Sequence, residues 1–160
     1  MHVRPAKDSD SDAIWAILEP MIRAGETYPL PSNMSREEAL TFWHGPGHEV
    51  FVAEEQSEIL GTYFVKANQR GGGSHVANCG YVTATRATGR GVARTMCQHS
   101  LDHARSRGFT AMQFNFVVST NERAAKLWQH LGFEIVGRLP GAFRHPTQGL
   151  VDAFVMYRVL

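Results

Sequence analysis

The densest chemistry in the chain lies in Tyr81-Val82-Thr83-Ala84-Thr85-Arg86-Ala87-Thr88-Gly89-Arg90-Gly91-Val92-Ala93, where a strand passes through a glycine-containing turn into a helix start. Glycines let a backbone approach a ligand closely, and the uncapped amides of a helix N-terminus point at an anion. Arg86, Arg90 and Arg94 recur at every fourth position and surround the turn with positive charge. The segment reads as a diphosphate cradle, or more blandly as a tight turn before a solvated basic helix face. It is not a dinucleotide fingerprint, because Arg94 stands where the third glycine belongs, and no Gly-Lys-Ser/Thr follows to make a P-loop. Asn78 and Asn115 form a second constellation, each in the middle of an apolar strand-like run. An unpaired buried amide costs ~1–3 kcal/mol, so each must satisfy a neighbouring backbone group or line an opening and hold a substrate's carboxylate or amine.

These groups need elements to place them. Residues 3–6 suit a short strand, and the cap-rich Asp8-Ser9-Asp10-Ser11-Asp12 leads into an amphipathic helix over 10–24, with Pro20 expected to kink or divide it. Ser35-Arg36-Glu37-Glu38 follows the capping-box pattern and predicts a helix over 36–43. Strands are expected over 49–54, 59–67 and 75–83, then a helix over 91–107 and a strand over 111–118. Ser119-Thr120-Asn121-Glu122 reads as a second capping box opening a helix to Leu131. Strands over 133–136 and 151–159 close the pattern, with 141–149 as a loop carrying Arg144 and His145. The order βααβββαβαββ implies an α/β fold: one mixed central sheet flanked by helices, with 75–83 and 111–118 parallel across their helical connection.

Composition narrows the function. The chain's 160 residues suit one domain, 1–160, and Lys+Arg 16 against Asp+Glu 15 leaves a net charge of +1, unlike the basic footprint of a nucleic-acid binder. The longest apolar run, 13–18, is far short of the ~20 residues of a membrane span, and MHVRPAKDSD has no signal-like apolar region. Cys79 and Cys97 have no metal-ligand spacing and are too few for a disulfide framework, so no metal is expected. These features describe a soluble cytoplasmic protein with neither nucleic-acid nor membrane partners.

The sequence resembles the GNAT superfamily of acetyl-CoA-dependent N-acetyltransferases in three correctly ordered places. Arg86-x-x-Gly89-x-Gly91 matches its cofactor motif, Arg4-Pro5-Ala6…Asp10 its start, and Asn121-x-x-Ala124-x-x-Leu127-Trp128-x-x-x-Gly132-Phe133 its second cofactor segment. The resemblance implies a GNAT fold whose sheet splays at the cofactor site. It places the acetyl-CoA diphosphate on the amides of residues 87–92, including Ala87, Thr88 and Val92. The pantetheine arm would pair with Tyr81 and Val82 and touch Asn121. Thr88 departs from the commoner arginine, and Arg90 is expected to supply that charge.

The resemblance also implies that a backbone amide at Val82 or its neighbour polarises the thioester carbonyl. Trp128 occupies the position where many members carry a tyrosine that protonates the thiolate, and indole cannot do so. A thiol titrates near ~8.5 and an α-amine near ~8, which makes the missing tyrosine tolerable for an amino-acid-like acceptor. Glu26, Thr27 and Tyr28 fall where the family shapes its acceptor pocket, and Glu26 and His75 are the general-base candidates by residue type. Asn78, Asn115 and Asn121 with their flanking text resemble a branch that acetylates imino acids of the azetidine-carboxylate type; phosphinothricin-type members share the overall layout. The expected activity is direct acetyl transfer to a small-molecule amine, with room for a homodimer. The alternatives are a non-catalytic coenzyme-A sensor and a protein N-terminal or lysine acetyltransferase.

Overall fold

A computed structural model describes residues 1–160. The elements follow the expected order: β1 (His2–Pro5), α1 (Ser11–Ala24), α2 (Arg36–Trp43), β2 (Glu49–Glu55), β3 (Glu58–Ala67), β4 (Val76–Thr83), α3 (Val92–Ser106), β5 (Ala111–Val118), α4 (Glu122–His130), β6 (Glu134–His145) and β7 (Gly149–Val159). The strands form one mixed sheet in the order β1-β2-β3-β4-β5-β7-β6, antiparallel everywhere except between β4 and β5.

Strand alternation decides what covers each face. Tyr63 sends its hydroxyl to His99 Nδ1 of α3 at 2.6 Å, while its neighbour Thr62 accepts from Trp43 Nε1 of α2 at 3.0 Å. Thus α3 lies on one face, and α2, with α1 packed beside it, lies on the other. The start of α3 is seated closely on β3 because Gly61 has no side chain: a Cβ there would stand 2.7 Å from Val92 Cγ1.

The sheet opens between β4 and β5. These strands pair only at Val76↔Ala111 and Ala77↔Met112. At the next position the Asn78 side chain, not the backbone, reaches Gln113, with Nδ2 donating to its carbonyl at 2.9 Å. A bulge in β5 between Phe114 and Val117 bends that strand where the divergence begins. Trp128 of α4 packs against both sides of the gap, its ring 5.1 Å from Tyr81 and 5.3 Å from Phe114.

Several local expectations are corrected. Pro20 does not divide α1, whose buried face of Ile14, Ile17, Leu18 and Ile22 spans the proline. Asp10 caps no helix amide of α1; its carboxylate is taken by Arg4 and by the Lys7 amide. The second capping box does not form, and α4 starts after Asn121 without a side-chain cap. The expected loop over 141–149 is mostly strand: β6 runs to His145 and pairs with β7 through a register shift between Leu139 and Phe143. As the edge strand, β6 tolerates Pro140, and Gly141 absorbs a positive φ of 58° at the irregularity.

Candidate active site

The turn after β4 takes the shape its glycines suggested. Gly89 and Gly91 have φ of 88° and 80°, left-handed values that cost other residues strain. The amides of Ala87, Thr88 and Arg90 close local turns onto the carbonyls of Ala84, Thr85 and Ala87. Those of Gly89, Gly91, Val92, Ala93 and Arg94 take no acceptor within the chain, since α3's first bond runs from Thr95 to Gly91. The amides without an acceptor in the chain therefore run from Gly89 to Arg94, whereas those of Ala87, Thr88 and Arg90, within the expected 87–92, are already bonded. A Cβ at Gly91 would meet nothing within 4 Å, so the cradle is open to a ligand.

The charge around the cradle differs from the sequence expectation. Arg86 pairs with Glu58 at 2.6 Å and Arg90 with Glu55 at 2.5 Å, so both are tied to the β2–β3 turn, and neither lines the cavity at the cradle. Arg94 does line it. Its counterpart is Arg123 on the first turn of α4, whose Nη2 lies 3.3 Å from where a Gly89 Cβ would be. Sequence reading passed over Arg123; its place just after Asn121, at a helix start facing the other, was the available signal.

The cradle is one end of a cavity of about 370 Å³ that continues past Thr83, Tyr81, Asn121, Ala124, Leu127 and Trp128. A second cavity of about 380 Å³ opens on the α1–α2 side of the sheet. The two share Tyr81, Asn121, Ala124 and Trp128, so they meet at the divergence of β4 and β5.

Peptide orientation along β4 follows from its partners. The Ala84 amide reaches Leu60 and the Val76 carbonyl receives Asn68, which turns the even-numbered peptide groups toward β3. Cys79, Tyr81 and Thr83 consequently present theirs to the gap. Val82 is buried and pairs with Thr62, so its neighbour Tyr81 offers the exposed backbone edge. The Tyr81 carbonyl already accepts from the Tyr28 hydroxyl at 3.2 Å. Burial raises the Tyr28 phenol well above its usual range, which keeps it a donor. Gly80 permits this crowding: a Cβ there would stand 2.6 Å from Phe64 and 3.0 Å from the Tyr28 hydroxyl.

Thr27, Tyr28, Asn78 and Asn115 all line the second cavity. Asn115 is held by its own kind, donating to Asn68 Oδ1 at 2.7 Å and accepting from Gln113 Nε2 at 2.9 Å. Glu26 is exposed and lines neither cavity, and His75 is likewise exposed outside both. Two residues that sequence reading did not single out enter the same cavity, His48 and Lys66. His48 stacks on Phe64 with ring centroids 4.2 Å apart, and its Nδ1 lies 2.8 Å from the Trp43 carbonyl. That carbonyl can only accept, so Nδ1 carries the proton and Nε2 keeps its lone pair. Burial holds His48 below the usual imidazole range, in its neutral form near pH 7. Nothing local in the sequence marked His48, which follows an ordinary Gly45-Pro46-Gly47 turn.

Cys79 and Cys97 are buried free thiols, both pushed up by burial, Cys97 to about 12. Neither is poised as a thiolate.

An N-acetyltransferase of Schizosaccharomyces pombe, aca1, is 28% identical over 151 residues, covering 84% of this chain and 72% of its own. A GCN5-related N-acetyltransferase from Kribbella flavida is 42% identical and superposes with a TM-score of 0.94 over 99% of this chain and 97% of its own. A phosphinothricin acetyltransferase from Sinorhizobium meliloti in complex with acetyl-CoA, 19% identical, shares the fold with a TM-score of 0.86 over 99% of this chain and 88% of its own. The model of the acetyltransferase (GNAT) family matches residues 15–133, the span that holds the cradle, the divergent strands and Trp128; the chain belongs to that family and is an acetyl-CoA-dependent N-acetyltransferase.

Proposed function

We propose that the protein, working as one domain over 1–160, transfers acetyl from acetyl-CoA to the nitrogen of a small amino- or imino-acid-like acceptor. The observation that carries this reading is the meeting of two modest cavities at Tyr81, Asn121, Ala124 and Trp128. One has the anion-binding end that a diphosphate needs; the other, at about 380 Å³, has the size of a small-molecule site.

Acetyl-CoA supplies the activated acetyl group. The chain's amides of Gly89, Gly91, Val92, Ala93 and Arg94 would hold its diphosphate, with Arg94 and Arg123 as countercharges. The gap-facing edge of β4 at Tyr81 and Val82 would run beside the pantetheine arm, and the Tyr81 amide, whose own carbonyl is taken by Tyr28, would donate to the thioester carbonyl oxygen as it gains charge. Asn121, on the shared wall, would contact the same arm. Asn78 and Asn115 would orient the acceptor from the other side. His48, rather than the exposed Glu26, is the cavity group suited to take the amine proton, through its free Nε2. Raised, buried thiols at Cys79 and Cys97 support direct attack without an acetyl-enzyme.

The test is release of free thiol from acetyl-CoA across amino acids, imino acids, phosphinothricin and short peptides. Turnover is expected with the free amino or imino acids. Turnover confined to peptides would replace this reading with a protein acetyltransferase, and silence with every acceptor would remove it.

A further inference from the structure

The acceptor cavity contains one formal charge. None of its lining residues is Asp or Glu, and Lys66 is its single cation. Most cations of this chain have an acidic partner, including Arg4, Arg36, Arg86, Arg90, Arg105, Arg107 and Arg138. The Lys66 ammonium has no acidic partner among the ion pairs of the chain and makes no side-chain hydrogen bond.

Strand register fixes where this charge sits. Lys66 is the direct cross-strand partner of Asn78 and lies two residues from Phe64, so all three side chains share the cavity face of β3 and β4. Asn78 spends its Nδ2 on Gln113, which leaves Oδ1 without a donor from the chain. His48 is close enough for the Lys66 charge to act on it, and it is neutral. An ammonium, an open amide oxygen and a neutral imidazole thus surround one small space. A second cationic or purely basic acceptor would meet Lys66 with no carboxylate to offset the repulsion. A zwitterion would meet complementary groups, its carboxylate at Lys66 and its amine near Asn78 and His48.

Building on the small-acceptor reading, we propose that Lys66 is the carboxylate receptor of this cavity, and that it selects acceptors with a free carboxylate over their neutral or cationic counterparts. Arg144, like Arg23, lines a neighbouring cavity of about 320 Å³ that shares Tyr28, Pro29 and Leu30 with this one.

The test compares azetidine-2-carboxylate, proline and alanine with their carboxamides, as kcat/KM, in the wild type, Lys66→Met, Lys66→Glu and Arg144→Met. The wild type should favour the acids by roughly 10–100-fold, the range of one charge-assisted hydrogen bond. Lys66→Met should bring the ratio near one through KM with kcat retained, Lys66→Glu should invert it, and Arg144→Met should keep it. Calorimetry should show acetyl-CoA affinity unchanged in Lys66→Met, which confirms a folded protein. Equal use of acid and carboxamide by the wild type, or a ratio that survives Lys66→Met, overturns the role of Lys66 alone. Turnover of no acid and no carboxamide by the wild type overturns the small-acceptor reading and this role with it.

Discussion

At the scale of single residues, Asn78 explains how the sheet comes apart at Gln113 without orphaning that residue's carbonyl. A parallel ladder that stopped at Ala77↔Met112 would leave the Gln113 carbonyl without a donor on that side, and Asn78 supplies one from its side chain. The same residue lines the cavity where we place the acceptor, so on that proposal one side chain both ends the ladder and serves the site. Replacing it with alanine should orphan that carbonyl and lower the unfolding free energy by about 1–3 kcal/mol, measured by urea denaturation. It should also depress kcat/KM for the acceptor by roughly tenfold or more while leaving acetyl-CoA affinity within about twofold. Weakened acetyl-CoA binding with intact acceptor use would show that Asn78 serves the other cavity.

At the scale of elements, the active site depends on the entry into α3. Gly61 lets the helix start press on β3, and Gly89 and Gly91 bend the chain where five amides are left without an acceptor in the chain. Gly89→Glu combines three insults: a disfavoured φ, a Cβ 3.3 Å from the Arg123 guanidinium, and a carboxylate where we place the diphosphate. Acetyl-CoA affinity should fall at least about 100-fold by calorimetry while circular dichroism stays native; undiminished binding would refute the cradle. This part of the molecule was legible in the sequence because it is local: a strand, two glycines and an amphipathic helix lie within a short stretch. The element order was legible for the same reason. The charge pattern was not, since Arg86 and Arg90 find Glu58 and Glu55 across separations of 28 and 35 residues. Lys66 and Asn78 become neighbours only through the β3–β4 register, and His48 joins them through the fold of α2. The long β6 was hidden because Pro140 and Gly141 read as loop in any strand except an edge one.

At the scale of the whole molecule, a net charge of +1 proves to be the residue of extensive pairing, with Arg94, Arg123 and Lys66 left unpaired in the two cavities. The pairing also closes the fold at its N-terminal edge. Arg4 of β1 holds both oxygens of Asp10 at 2.8 and 3.1 Å and reaches Glu54 of β2 at 2.5 Å, while the Lys7 amide adds a bond to Asp10 at 2.7 Å. This cluster ties the edge strand to the entry of α1 and gives the Arg4…Asp10 resemblance a structural reason. The bonds from Arg4 hold the Asp10 carboxyl below its usual range despite its burial. A carboxylate depressed on folding contributes stability that is fully present above its unfolded pKa, near ~4, and that is lost as pH falls through the folded value. Asp10→Asn should therefore cost about 1–3 kcal/mol at pH 7, the worth of charge-assisted bonds at a mostly buried site. The difference from wild type should shrink steadily below about pH 4, as the wild-type carboxyl takes up its proton and loses the same attraction. Denaturant titrations from pH 7 to pH 3 read both quantities. A gap that stays constant across that range would mean that Asp10 acts through shape and neutral hydrogen bonding, and that the edge is not closed by its charge.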